Sequence, residues 1–193
     1  MVAASWEEVL GFWFGAPDSP EFGRPRPAWF VKSAEFDALI RDRFLATYEA
    51  AASGALDDWS ARPLAALALA VALDQFPRNM FRGTQRAFAA DAHALAVARG
   101  AVGRGYDEVL LPVQRWFVYL PFEHAEDLAA QRESLRLFER LAVDAAGART
   151  LTYAMRHYAV IERFGRFPHR NAILGRESSP EELAFLAQPG SSF

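Results

Sequence analysis

The chain has no cysteine among its 193 residues. That absence excludes a disulfide framework, a thiolate nucleophile and any cysteine-ligated metal, and it fits a reducing compartment. Lysine is almost missing too. Of 21 cationic residues only Lys32 is lysine, and the rest are arginine; a GC-rich genome explains this bias about as well as a need for bidentate contacts. No long apolar run occurs. The longest, Leu64 to Leu73, falls well short of the ~20 residues that span a bilayer and reads as a buried helix. Met1 to Phe14 carries Glu7 and Glu8 but no basic residue, so it lacks the plan of a signal peptide. The formal net charge of -3 gives no global attraction for nucleic acid or an anionic membrane. Together these absences point to a cytoplasmic protein with neither nucleic acid nor membrane as partner.

What is present is apolar and aromatic. Hydrophobic residues make up 52% of the chain, with 16 Phe and 5 Trp, enough for one substantial core. Helical periodicity recurs throughout, and no segment sustains period-two alternation. Ser5 with Glu8 forms a capping box ahead of Val9, Phe12 and Trp13, so a first short helix starts there and docks as residues 1–14. A proline-rich loop follows, then a helix carrying Phe36, Ile40, Phe44 and Tyr48 that stops before Gly54. Further helices are expected from Ser60 to Pro77, from Gln85 to Arg99, from Asp107 to Pro121, from Glu123 to Ala142, and from about Leu151 to Gly165. Ser179, Pro180 and Glu182 open a last one, and Pro189 to Phe193 is a tail. The expectation is an all-α single domain, 1–193, of seven to eight antiparallel helices joined by short loops.

Three polar clusters interrupt this pattern. The first is Asp74, Gln75, Arg78 and Asn79, where Asp74 falls in the last turn of a helix and needs a cationic partner such as Arg78. The second is Glu123, His124 and Glu126, with Gln131 one turn on; acids beside an imidazole raise its basicity and hold its tautomer. The third is Arg166, His169, Arg170 and Asn171, more donors than a helix C-terminus needs for capping. His157, beside the apolar stripe of its helix, reads as a core histidine bonded to a neighbour. Phe76-Pro77-Arg78-Asn79 also echoes Phe167-Pro168-His169-Arg170-Asn171, which marks two similar helix exits.

No metal and no cofactor is expected. Adjacent Glu123 and His124 on one helix would diverge by about a hundred degrees, and the chain has no His-x-x-x-His pair.

From Trp6 to about Leu186 the chain resembles a widespread bacterial family, domain of unknown function family 924. The resemblance rests on Asp74 to Asn79, Pro121 to Glu126 and Gly165 to Asn171, followed by Leu174-Gly175-Arg176. Ala125 stands where the family usually has serine. The resemblance implies a tetratricopeptide-like helical array, although no period near ~34 residues is visible in the chain itself. It implies no reaction. The residues themselves suggest a polar pocket for a small anionic or carboxylate ligand, with Arg78, Arg166, His169, Arg170 and Asn171 as donors and Asp74, Glu123 and Glu126 orienting them. The alternatives are a hydrolase-type enzyme with His124 or His169 as general acid or base, a scaffold for a protein partner or second copy, and an internal ion-pair lock.

Overall fold

The computed structural model describes residues 2–191; the last two residues of the expected tail lie outside them. Among the described residues every regular element is helical, and there is no strand. The chain divides into two compact units, Met1–Arg82 with Arg86–Pro121, and Gly83–Gln85 with Phe122–Phe193.

The first unit holds α1 (Trp6–Phe14), α2 (Ala34–Ala52), α3 (Pro63–Ala70), α4 (Phe76–Met80), α5 (Asp91–Gly103) and α6 (Pro112–Glu123), which leaves this unit at Pro121. Both halves of the Ser5–Glu8 capping box form, so α1 starts where its sequence says it should. At its other end Arg26 Nη1 donates to the carbonyls of Phe12 and Trp13 at 2.7 and 2.8 Å, satisfying acceptors that the helix leaves open. Trp13 meets Phe76 and Phe117 edge-on, with ring centres 5.7 and 5.6 Å apart. Helix α3 is alanine- and leucine-rich on all sides and buried from Ala65 onward, between α1 and α5.

Pro77 does not end this helix. A π-helical stretch, Val71–Gln75, joins α3 to α4, and Pro77 sits in the first turn of α4. The wider π turn makes room for a ring that a regular α-helix would reject. Asp74 therefore lies inside a continuous helical run rather than at an exit. The echo between the Phe76 and Phe167 segments is one of sequence alone.

Other boundaries also move. The segment from Gln85 opens as a 3-10 turn, Gln85–Phe88, and α5 begins only at Asp91 and runs past Gly100 to Gly103. Asp107 caps no α-helix. It is buried in a 3-10 turn, where its carboxylate accepts the Tyr119 hydroxyl at 2.7 Å. Pro112 takes the first position of α6, and Pro121 lies inside that helix.

The second unit holds α7 (Leu128–Glu139), packed along α8 (Ala145–Phe164), and the short α9 (Pro180–Leu186). Helix α7 starts at Leu128, not Glu123: Asp127 is its N-cap and accepts from Ala130 N at 2.7 Å. Glu123 is thus the last residue of α6, and His124 stands in the connection between two helices. Asp144 caps α8 in the same way. Gly165, at φ 69°, ends α8 in the left-handed conformation that glycine adopts without penalty, and its N–H closes on Ile161 O at 2.8 Å. The chain then turns so that Phe167 is fully buried beside Val160 and Ile161, which fixes the 3-10 turn Pro168–Arg170 next to it.

Candidate functional site

The first polar cluster is closed on itself within the first unit. Asp74 is fully buried. Gln75 Nε2 donates to it at 2.6 Å, and Arg78 Nη1 lies 3.2 Å from its carboxylate and 2.6 Å from its backbone oxygen. Arg78 Nη2 also donates to Asp91 at 3.0 Å. Burial works to lower the Arg78 pKa, but Asp74 and Asp91 outweigh it and hold the guanidinium above its usual range. Asn79 donates to Gln75 O at 3.0 Å and accepts from Arg82 at 3.2 Å. Asp91, which completes this network, carries no sequence signal beyond being an acid at a helix start.

The second and third clusters share the second unit, and there they do meet. Glu126 accepts from both terminal nitrogens of Arg176, at 2.5 and 2.8 Å, and from Phe167 N at 2.7 Å. Burial raises the Glu126 pKa, but these bonds together pull it below the ordinary value. Arg176 also donates to Asn171 Oδ1 at 3.0 Å, and Asn171 donates to Ser178 at 3.0 Å. Arg166 is a bidentate partner of Glu182, at 2.7 and 2.8 Å. Arg166, Asn171 and Glu126 are therefore parts of the scaffold. Arg176, outside the expected site set, is the residue that ties the loop after α8 to the connection before α7.

A different group gathers beside this scaffold. Three of the four histidines in the chain are in it. His157 projects from α8 and is only 5% exposed. Its Nδ1 lies 2.9 Å from Tyr153 O and 3.1 Å from a Glu123 carboxylate oxygen, so the proton sits on Nδ1 and Nε2 is the basic nitrogen. The ring centre of His124 is 6.1 Å from that of His157, and Phe167 separates His157 from His169 at 5.5 and 5.6 Å. Arg170 lies over the Phe167 ring at 4.6 Å and donates to His124 O at 3.1 Å. Burial, followed by the nearby His124, pushes His157 down to about 3; burial and then Arg170 push His169 down to about 4. Both rings are neutral at pH 7.

Backbone bonds hold the group in place. Gln131 Nε2, fully buried on α7, donates to the carbonyls of Glu123 and Ala125 at 2.6 and 2.9 Å. With Arg170 it pins three successive carbonyls, Glu123 to Ala125. Glu123 and His157 are buried, while His124 and His169 are half-buried and give the group its solvent-facing side. His157 is the member that sequence reasoning left in the core. Its signal was there only in part: a histidine next to an apolar stripe, with nothing to show which carboxylate it faced.

Comparison with known proteins places the chain. A family model described as "Bacterial protein of unknown function (DUF924)" matches residues 9–190. Among solved structures, the chain is similar to a protein of unknown function, ATU0120, from Agrobacterium tumefaciens, with 42% identity and a TM-score of 0.82 over 94% of this chain and 96% of that one. No curated protein matches. The motifs that suggested the resemblance sit where the two closed ion-pair networks and the histidine group form, and the chain belongs to the DUF924 family of bacterial proteins.

Proposed function

We propose that the second unit binds a small anion of carboxylate or phosphate type at the group formed by His124, His169 and Arg170. The observation that supports this reading is the gathering of three histidines and Arg170 beside Glu123, with His124 and His169 half-buried and facing solvent. The neutral imidazole of His169 and the ring of His124 supply N–H donors, and Arg170 supplies the permanent positive charge. Arg78 pairs with Asp91 and Arg166 with Glu182, so the reading is built on His124, His169 and Arg170.

Melting temperatures across a series of phosphate, sulfate and dicarboxylates at fixed ionic strength test this reading. Wild type should gain stability with the recognised anion, by mass action on the folded state. Arg170→Ala should lose that gain, and about 1–3 kcal/mol of stability with its charged hydrogen bond. A wild type that no anion stabilises, with Arg170→Ala unstable throughout, would instead support an internal lock.

The Glu123–His157 contact of 3.1 Å favours a second reading, a hydrolase-type enzyme, because a carboxylate behind an imidazole fixes its tautomer for proton transfer. Hydrolysis of a chromogenic ester or phosphate monoester, abolished in His157→Ala, would support it; no activity on either substrate class would count against it.

A further inference from the structure

We propose that Glu123, His124 and His157 bind a divalent transition metal, with Zn2+ the expected occupant. Each of the three offers one ligand atom, and these atoms all lie within 4.8 Å of one another. In a tetrahedral zinc site, nitrogen and oxygen ligands at about 2.0–2.2 Å from the ion lie about 3.4 Å apart. Closing the group on an ion therefore brings its ligand atoms together by on the order of an ångström.

The donor chemistry is selective. Two imidazoles and one carboxylate suit zinc and its neighbours, whereas calcium and magnesium take all-oxygen sets. Three protein ligands also leave a position open, the pattern of a site that binds or activates something rather than of a closed structural one. His124, half-buried, is the member of the three through which solvent reaches the group.

The surrounding bonds are those that a metal site uses to orient its ligands. His157 Nδ1 faces the Tyr153 carbonyl at 2.9 Å, a bond that would orient the ring for ligation through Nε2. Gln131 and Arg170 hold the carbonyls of Glu123, His124 and Ala125, and so fix the stretch that carries two of the three ligands. The backbone explains why adjacent residues can both ligate. Glu123 ends α6 and His124 has left the helix, so the divergence of neighbouring helical positions does not apply. Binding exchanges the Glu123–His157 contact for coordinate bonds to the ion and keeps the Tyr153 bond.

The inference does not rest on anion binding, and its test is run without the candidate anions. Chelator-treated full-length protein in chloride buffer is titrated with Zn2+ against a chromophoric chelator, and separately with Co2+ while visible absorption is recorded. One equivalent of zinc should bind at micromolar or tighter affinity, and Co2+ should show the intense visible bands of a four- or five-coordinate ion. Loss of a ligand costs at least as much as loss of a supporting partner, so His124→Ala and Glu123→Gln should each weaken zinc binding about 100-fold or more. His93→Ala, which removes a histidine of the first unit, should leave it unchanged. Glu123→Gln keeps the size of the side chain, and melting curves confirm that each variant is folded. Wild-type affinity no tighter than that of folded His124→Ala, or pale six-coordinate Co2+ in wild type, overturns the proposal. Anion stabilisation without metal binding, or the reverse, separates this proposal from the anion reading.

Discussion

At the scale of single residues, the sequence showed which groups needed partners better than it showed who the partners were. Asp74 looked ill-placed for a carboxylate, and the structure gives it Arg78 as expected, but the second acid on that arginine, Asp91, is 13 positions away. Glu126 and Arg176 are 50 positions apart, and only the fold brings them together. Arg166 counted as a ligand donor because its segment holds more donors than capping needs, and nothing adjacent marked Glu182, the capping residue of α9, as its partner. It serves both: Glu182 accepts from Ser179 N at 2.7 Å and from Arg166. The Arg166 bonds pull the Glu182 pKa down to about 2 from 4.5, against burial, with help from Ser179 and Asn171. A depressed carboxylate stabilises the folded state fully above its unfolded value and loses that contribution as pH falls through its folded value. Glu182→Gln keeps an acceptor for the cap and removes the charge. It should melt below wild type at pH 7, and the gap should shrink steadily from about pH 4.5 to about pH 2. A gap that stays constant across that window would mean that the ion pair contributes nothing.

At the scale of elements, capping chemistry was the most legible signal and proline the least. The boxes at Ser5 and Ser179 and the stop at Gly165 lie where the sequence put them, because each is decided by a few adjacent residues. Pro77 and Pro121 misled because a π turn and a helix interior can hold proline when the surrounding packing demands continuity. Reading Pro121 as a stop moved the next helix start five residues early, to Glu123, and placed Glu123 and His124 on one helix, where adjacent positions diverge. Glycines within helices offer a test with opposite signs. A Cβ on Gly147 would lie 1.7 Å from Leu141 O, a backbone atom that cannot rotate away. Gly147→Ala should therefore push α8 from its place and cost about 1–3 kcal/mol or more. Gly11 in α1 has nothing within 4 Å, so Gly11→Ala should stabilise by about 0.4–1 kcal/mol through the unfolded chain. Urea unfolding of both variants reads the two signs. Equal effects would show that the close approach at Gly147 does not exist in solution.

At the scale of the whole molecule, the all-helical class followed from periodicity that is redundant over many residues, so local boundary errors did not touch it. No described helix is long and apolar enough to cross a membrane, in line with the short apolar runs. The aromatic content marked a large core but did not say how it is shared out. In the first unit much of it depends on the N-terminal helix: Val9, Leu10, Trp13 and Phe14 are buried, and Trp29 Nε1 donates to Trp13 O at 2.9 Å. Burying a large apolar side chain contributes about 1.5–3 kcal/mol. Four of them sum to about 6–12 kcal/mol, an upper bound, since unfolded chains already bury some of this surface. That is comparable with the whole stability of a typical domain, about 5–15 kcal/mol. A chain lacking residues through Phe14 should therefore fail to hold the first unit in its native packing. Near-ultraviolet circular dichroism reads this directly, because Trp29 and Phe117 lose the fixed ring contacts with Trp13 and Phe14 that give aromatic bands their sign. Trp13→Ala is the milder variant, expected to fold with a loss of about 3–5 kcal/mol. A truncated chain with an unchanged near-ultraviolet spectrum and melting curve would show that α1 does not support this core, and its buried face would then need another explanation.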